Sequence, residues 1–264
     1  MLLAAGGQPA AALAELPFTR HVAGSTAVVS HRAWHALLQE YVVASPDGLN
    51  RVRYAAWKRE SHAELKTYVS SLEAVDVARL DRPEQFAFWV NLYNAKTIEI
   101  VLDRYPVKSI KDIRLGGGVI GAITGGPWKA KVVTVSSVAL SLDDIEHVIL
   151  RGLFRDARVH YAVNCASIGC PNLGREAFKG AALESQLEAA ARAYVNSPRG
   201  VRWSGDRLVA SSIFRWFQSD FGGDAAGVLA HLARYAEPAL KARLSRATTI
   251  DEYSYDWSLN DVGR

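Results

Sequence analysis

Apolar residues recur at helical spacing through the first third of the chain. Ala33, Trp34, Leu37, Leu38, Tyr41 and Val42 predict a helix over 31–43, followed by a turn at Ser45-Pro46-Asp47-Gly48. Tyr54, Trp57, Leu65, Tyr68, Val69 and Leu72 make the buried side of a second helix over 51–73. Asp81 opens a third, with Pro83 in its first turn and Glu84 at capping-box spacing. Phe86, Trp89, Tyr93, Ile100 and Val101 form its core stripe, and Pro106 ends it. Asn91 and Asn94 lie on the neighbouring face, where asparagine either meets water or is buried and hydrogen-bonded.

The pattern changes after the first half. Residues 131–135 predict a strand, and Ser141 caps a helix that carries Ile145, Val148, Ile149 and Leu150 to about Arg155. Residues 158–165 predict a short buried strand ending in a tight turn that contains both cysteines of the chain, Cys165 and Cys170. An amphipathic helix over 182–195, a hairpin over 201–210, and a short helix capped by Ser211 or Ser212 and stopped by Gly222-Gly223 follow. Helices over 224–234 and 237–245 precede an extended, partly buried tail over 250–260. With no internal repeat or linker, these elements predict one α+β domain over 15–264, its helical N-terminal part packed on a small antiparallel sheet.

Composition adds bounds. The 264 residues are 49% hydrophobic, enough for a sizeable core, and no run reaches the ~18–20 apolar residues of a membrane span. The net charge of +4 is spread over scattered arginines, which argues against a nucleic-acid partner. Residues 1–14 are small and apolar, and Ala12-Leu13-Ala14 fits a signal-peptidase site without a basic segment before it. The segment reads either as a truncated export signal, with a periplasmic or secreted protein behind it, or as a tail. Gly116, Gly118 and Gly121 fit G-x-G-x-x-G, but Gly125-Gly126-Pro127 follows where the fingerprint needs a helix, so the 115–127 stretch predicts a loop and no nucleotide site. His31 and His35, four apart, lack a third ligand and read as partly exposed structural histidines.

The chemical candidates converge on the cysteine turn. A thiol attacks as the thiolate, and an imidazole can take its proton. His147 and His160 are the candidates to serve Cys165. On a strand, His160 and Cys165 would point to opposite faces, so His147 is the preferred base. Glu146, Asn91, Asn94 and Asn164 are supporting candidates, and Asp220, Asp256 or Asn260 can also supply a third group. N–H groups of the 166–169 turn offer an oxyanion pocket. The alternatives are a Cys165–Cys170 disulfide, a buried polar network without catalysis, and a zinc site with His147 and His160 that the missing C-x-x-C spacing disfavours. No metal or cofactor is expected. The leading expectation is a thiol hydrolase or acyltransferase with a peptide, amide or ester substrate.

Five ordered segments, 89–95, 142–147, 160–171, 213–221 and 255–260, resemble the family catalogued as domain of unknown function 547, found in bacteria and plants. The resemblance runs from about Trp34 to Asn260. It implies no activity. It does imply export, since bacterial members often carry a signal, and variability in the glycine loop. In plant relatives the position matching Cys170 is often serine while that matching Cys165 stays cysteine, which implies a role for Cys165 that needs no disulfide partner. If His147 is the base, the histidine-before-cysteine order also resembles circularly permuted papain-like hydrolases.

Overall fold

A computed structural model describes residues 16–115 and 126–263. The N-terminal segment 1–14 and most of the glycine loop, residues 116–125, lie outside the described residues. The fold is α+β, and its order begins with α1 (Arg32–Tyr41), the hairpin β1 (Val42–Ala44) and β2 (Asn50–Val52), α2 (Tyr54–Glu60) and α3 (His62–Glu73). The single helix expected over 51–73 is thus two, parted at Ser61, whose backbone (φ −136°) leaves the helical region. All six residues assigned to its buried side are buried.

Helix α4 (Arg82–Arg104) runs through the larger of two hydrophobic clusters, and nearly every residue from Glu84 to Leu102 is buried. Asp81 caps it by accepting the Glu84 N–H at 3.0 Å. Glu84 does not return the bond. Its carboxylate accepts the N–H of Val29 at 2.8 Å and of Gly180 at 3.0 Å, tying two distant segments to the helix start. His31, expected to be partly exposed, is buried with Nδ1 2.6 Å from the Tyr68 hydroxyl.

The hairpin β3 (Val133–Val135) and β4 (Val138–Leu140) leads into α5 (Asp144–Phe154), a π-helix. Ser141 and Asp144 cap its start reciprocally. Residues Val159–Ala162 then form one helical turn, α6, and only Val163 is extended. The buried strand expected over 158–165 is therefore a helical turn. Apolar side chains at 159, 161, 162 and 163 suited either form, and contacts decided: Val159, Ala162 and Val163 face the larger cluster while Tyr161 faces the smaller.

The smaller cluster is built from α7 (Leu183–Val195), β5 (Val201–Ser204), β6 (Arg207–Ser211), α8 (Ser212–Trp216), α9 (Ala225–Tyr235) and α10 (Pro238–Leu244). Strand β7 (Glu252–Ser254) adds to β6 in parallel, so this sheet is mixed while the two hairpins are antiparallel. The chain end then crosses back, bridging Leu259 to Ser167 and Asp261 to Val52. The cysteine turn thus lies where α6 joins the two clusters and the C-terminal segment passes over it. No helix among the described residues is long and apolar enough to cross a membrane.

Candidate functional site

The turn after Val163 is held by its own side chains. Asn164 accepts the Ala166 N–H at 2.8 Å and donates to the Pro171 carbonyl at 2.7 Å. These bonds stabilise Ala166 in the left-handed region (φ 59°), which costs a non-glycine residue of order 1 kcal/mol. Gly169 is required by close approach: its N–H donates to the Asp256 carbonyl at 2.8 Å, and a Cβ there would sit 2.8 Å from the Asp256 nitrogen. Tyr194 donates to the Gly169 carbonyl at 2.7 Å, and the Arg199 guanidinium bonds the Cys170 carbonyl.

Both cysteines are free thiols. Cys165 Sγ lies 2.9 Å from Cys170 Sγ, 3.2 Å from Ser167 Oγ and 3.1 Å from the Tyr255 hydroxyl. The Cys165 N–H points at Cys170 Sγ at 3.0 Å, and the Ser167 and Tyr255 hydroxyls are 2.9 Å apart. The Cys170 S–H lowers the pKa of Cys165, burial opposes it, and the Ser167 and Tyr255 hydroxyls lower it further, so the net direction is down. Burial and the charge on Cys165 push Cys170 well up. Of the two thiols, Cys165 is therefore the more acidic.

Neither histidine is hydrogen-bonded to Cys165. His147 lies on α5 in line with Asp143 and Arg151. Its Nδ1 is 3.3 Å from Arg151 Nη1, and its Nε2 is 3.8 Å from Asp143 Oδ1. Arginine only donates, so His147 Nδ1 is the acceptor and its lone pair is engaged. Glu146 Oε1 is 3.8 Å from His147, while Glu146 Oε2 accepts the buried Tyr93 hydroxyl at 2.9 Å.

His160 is differently placed. Because residues 159–162 are helical, the opposite-face restriction does not apply. Its Nε2 is 2.8 Å from Asp220 Oδ2, and its ring stacks on Phe217 with centroids 4.2 Å apart. Arg151 grips the same carboxylate through two bonds of 2.6 and 3.0 Å. Burial works against the charged Asp220, yet the bonds from His160 and Arg151 outweigh it and hold its pKa well below the usual carboxylate range. An ionised carboxylate accepts, so His160 carries its proton on Nε2 and Nδ1 keeps the lone pair. Burial lowers the pKa of His160 against the pull of Asp220, which favours the neutral ring. The two histidines thus have different partners: Asp220 holds His160, and Arg151 engages His147. The Glu146 charge works to raise the pKa of both Cys165 and His160.

Asn91 and Asn94 spend their amides on backbone groups. Asn91 pairs with both backbone groups of Phe178, at 2.9 and 3.0 Å. Asn94 donates to the Ala162 carbonyl and accepts the Asn164 N–H, at 2.9 and 2.8 Å. The backbone oxyanion pocket is also largely spent. Ala166 N–H goes to Asn164, Ile168 N–H to the Ser258 carbonyl and Gly169 N–H to Asp256. Ser167 N–H alone of the four has no partner among the described residues. Among those residues, no three His, Cys, Asp or Glu side chains converge to hold a metal. A cavity of about 280 Å³ is lined by Arg151, Arg155, Asp156, Ala157, Ser219 and Asp220.

Residues 77–195 match the family model described as "Protein of unknown function, DUF547". The chain resembles the DUF547 family. Comparison with curated proteins and with solved structures each gave no match. The DUF547 match covers less than half of the chain and includes Asn91, Asn94, Glu146, His147, His160, Cys165 and Cys170. Asp220 and Tyr255, which complete the contacts of His160 and Cys165, lie outside it. Sequence reasoning named Asp220 only among several third groups and missed Ser167 and Tyr255 as thiol partners. Nothing in local spacing joins position 255 to position 165.

Proposed function

We propose that the protein is a thiol-dependent hydrolase or acyltransferase for an amide or ester, with Cys165 as nucleophile. The reading is carried by the three groups able to donate to Cys165 Sγ, the Cys170 thiol and the Ser167 and Tyr255 hydroxyls. A thiolate held by hydrogen bonds needs no permanent ion pair with an imidazole. Cys165 Sγ forms a bond to the carbonyl carbon, and the leaving group departs with its electron pair. Water then releases the acyl group in a hydrolase, or a second nucleophile takes it in an acyltransferase. His160, fixed by Asp220, is the base for that second step, its Nδ1 reaching the attacking molecule directly or through one water. His147 then serves structure, through Arg151. The histidine-before-cysteine order keeps the analogy to permuted papain-like hydrolases, which concerns chemistry and not substrate. We also assign the protein to an exported, periplasmic or secreted setting, on the apolar N-terminal segment.

A second reading rests on the 2.9 Å between the sulfurs. Closing that gap by about 0.9 Å gives a disulfide. In that case Cys165 attacks a disulfide of a partner, and Cys170 displaces the mixed product, leaving the Cys165–Cys170 bond and two partner thiols. One experiment separates the two. The reduced protein is treated with p-nitrophenyl acetate and analysed by mass spectrometry after digestion. Acetylation at Cys165, lost in Cys165→Ala, supports the acyl-transfer reading. A protein that never acetylates but loses two hydrogens on exposure to oxidised glutathione supports the second and overturns the first.

A further inference from the structure

A tetrahedral intermediate at Cys165 needs donors for its oxyanion, and acyl-transfer sites commonly aim two at it. Among the N–H groups of residues 166–169, that of Ser167 alone has no partner among the described residues. The others are bound to Asn164 or to the C-terminal segment at 2.8 Å, and the Cys165 N–H faces Cys170 Sγ. One donor is half of such a pocket.

The Tyr255 hydroxyl lies 3.1 Å from Cys165 Sγ and 2.9 Å from Ser167 Oγ. Its ring packs against both Trp216 and Trp257, with centroids 4.9 and 4.7 Å away, and the two tryptophans stack on each other. The ring therefore fixes the oxygen while the O–H rotates freely about the Cζ–O bond. Burial, and after it the charge that Cys165 can carry, raises the pKa of Tyr255 well above its ordinary value, so it keeps its proton through the working pH range. Glycine at 169 lets the C-terminal segment approach closely enough to bring Tyr255 here.

We propose that Tyr255 is a catalytic residue of the acyl-transfer site, its hydroxyl serving as the side-chain donor that completes the oxyanion pocket beside the Ser167 N–H. This rests on the reading of Cys165 as an acyl-transfer nucleophile. In the resting site the Tyr255 O–H faces the thiolate. As the S–C bond forms, the carbonyl π bond breaks and its electron pair moves to oxygen. The O–H then turns from sulfur to that oxygen without transferring its proton. When the carbonyl re-forms and the leaving group departs with its electron pair, the O–H returns. The substrate class that profits is one with an sp² carbonyl, an ester or amide. A reagent attacked at a saturated carbon gains nothing.

That difference supplies the test. The reduced full-length protein and Tyr255→Phe are compared in two reactions at Cys165, each at a pH above the thiol titration of that variant. One is acylation by p-nitrophenyl acetate, and the other is alkylation by iodoacetamide, which develops no oxyanion. Tyr255→Phe keeps the ring against Trp216 and Trp257. Its acylation rate is expected to fall by roughly 10²-fold. Its alkylation rate is expected to change by no more than about threefold, because the thiolate remains. Ser167→Ala, which keeps the backbone N–H but removes the hydroxyl that anchors Tyr255, is expected to lower acylation less and in the same direction. Equal losses in both reactions, or no loss of acylation in Tyr255→Phe, overturn the proposal. If Tyr255→Phe misfolds by circular dichroism, an unchanged acylation rate in Ser167→Ala overturns it instead, and a selective loss upholds it. A wild-type Cys165 that is alkylated but never acylated removes the acyl-transfer reading itself, which Tyr255→Phe cannot mimic.

Discussion

The asparagines of α4 and the turn after α6 are both buried and polar, but they are satisfied in different ways. Asn91 and Asn94 each spend both ends of an amide on backbone groups of another segment, with bonds of 2.8–3.0 Å. Nothing in those pairs titrates, and nothing is left over. Around Cys165 the partners are a thiol and two hydroxyls, all of which can turn, and the thiol itself titrates. Complete, rigid satisfaction marks architecture. Movable donors in excess around one titratable atom mark chemistry. Ala166 adds a second mark, a left-handed residue directly after Cys165, held by the Asn164 amide.

The largest expected effect on stability is at the architectural end. Asn94→Leu leaves the Ala162 carbonyl and the Asn164 N–H buried without partners, and should destabilise by about 2–5 kcal/mol in urea unfolding. A loss within experimental error would break the comparison. His31 tests the same region through pH. Burial lowers its pKa to about 4, so the folded protein refuses a proton that the unfolded chain accepts near 6.5. Stability contributed by neutral His31 is therefore present above about pH 6.5 and is lost as pH falls toward 4, in total roughly 3 kcal/mol. Thermal unfolding against pH should show this slope, and His31→Gln should flatten it.

Next comes the imidazole pair. Asp220→Asn frees the His160 tautomer and weakens the grip of Arg151, so release of the acetyl group from Cys165 should slow by roughly 10²-fold. Formation of the acetyl-enzyme should change far less. Equal slowing of both steps would give His160 a different role. The smallest effect on stability belongs to the site itself. Cys165→Ala should abolish acetylation while shifting unfolding by no more than about 1 kcal/mol.

Much of this was legible along the chain. Periodicity placed α1, α4, α7, both late helices and the hairpin of β5 and β6, because each buries one face on its own. It also gathered Cys165, Cys170, His160 and His147 as candidates. Two things were hidden. Val159 to Val163 is apolar at nearly every position, so period could not tell a strand from a turn of helix, and the face argument against His160 inherited that ambiguity. The partners that matter most, Asp220 to His160 and Tyr255 to Cys165, are separated by 60 and 90 residues. Asp220 reaches His160 from the 3-10 turn after α8, and Tyr255 reaches Cys165 where β7 pairs in parallel with β6 and the chain end returns across Gly169. The single helix expected over 51–73 failed for a smaller reason: buried residues on both sides of Ser61 keep one periodicity across a break that only the backbone reveals.

The central claim is that Cys170 makes Cys165 the more acidic thiol by donating to it. The most direct measurement is the rate of iodoacetamide alkylation of Cys165 against pH, read by peptide mass spectrometry in the reduced protein. The account expects a titration below the ordinary thiol value of about 8.5, moved upward in Cys170→Ala and kept low in Cys170→Ser, whose hydroxyl can still donate. A Cys165 that titrates at or above the ordinary value, or a Cys170 that is alkylated first, would contradict it.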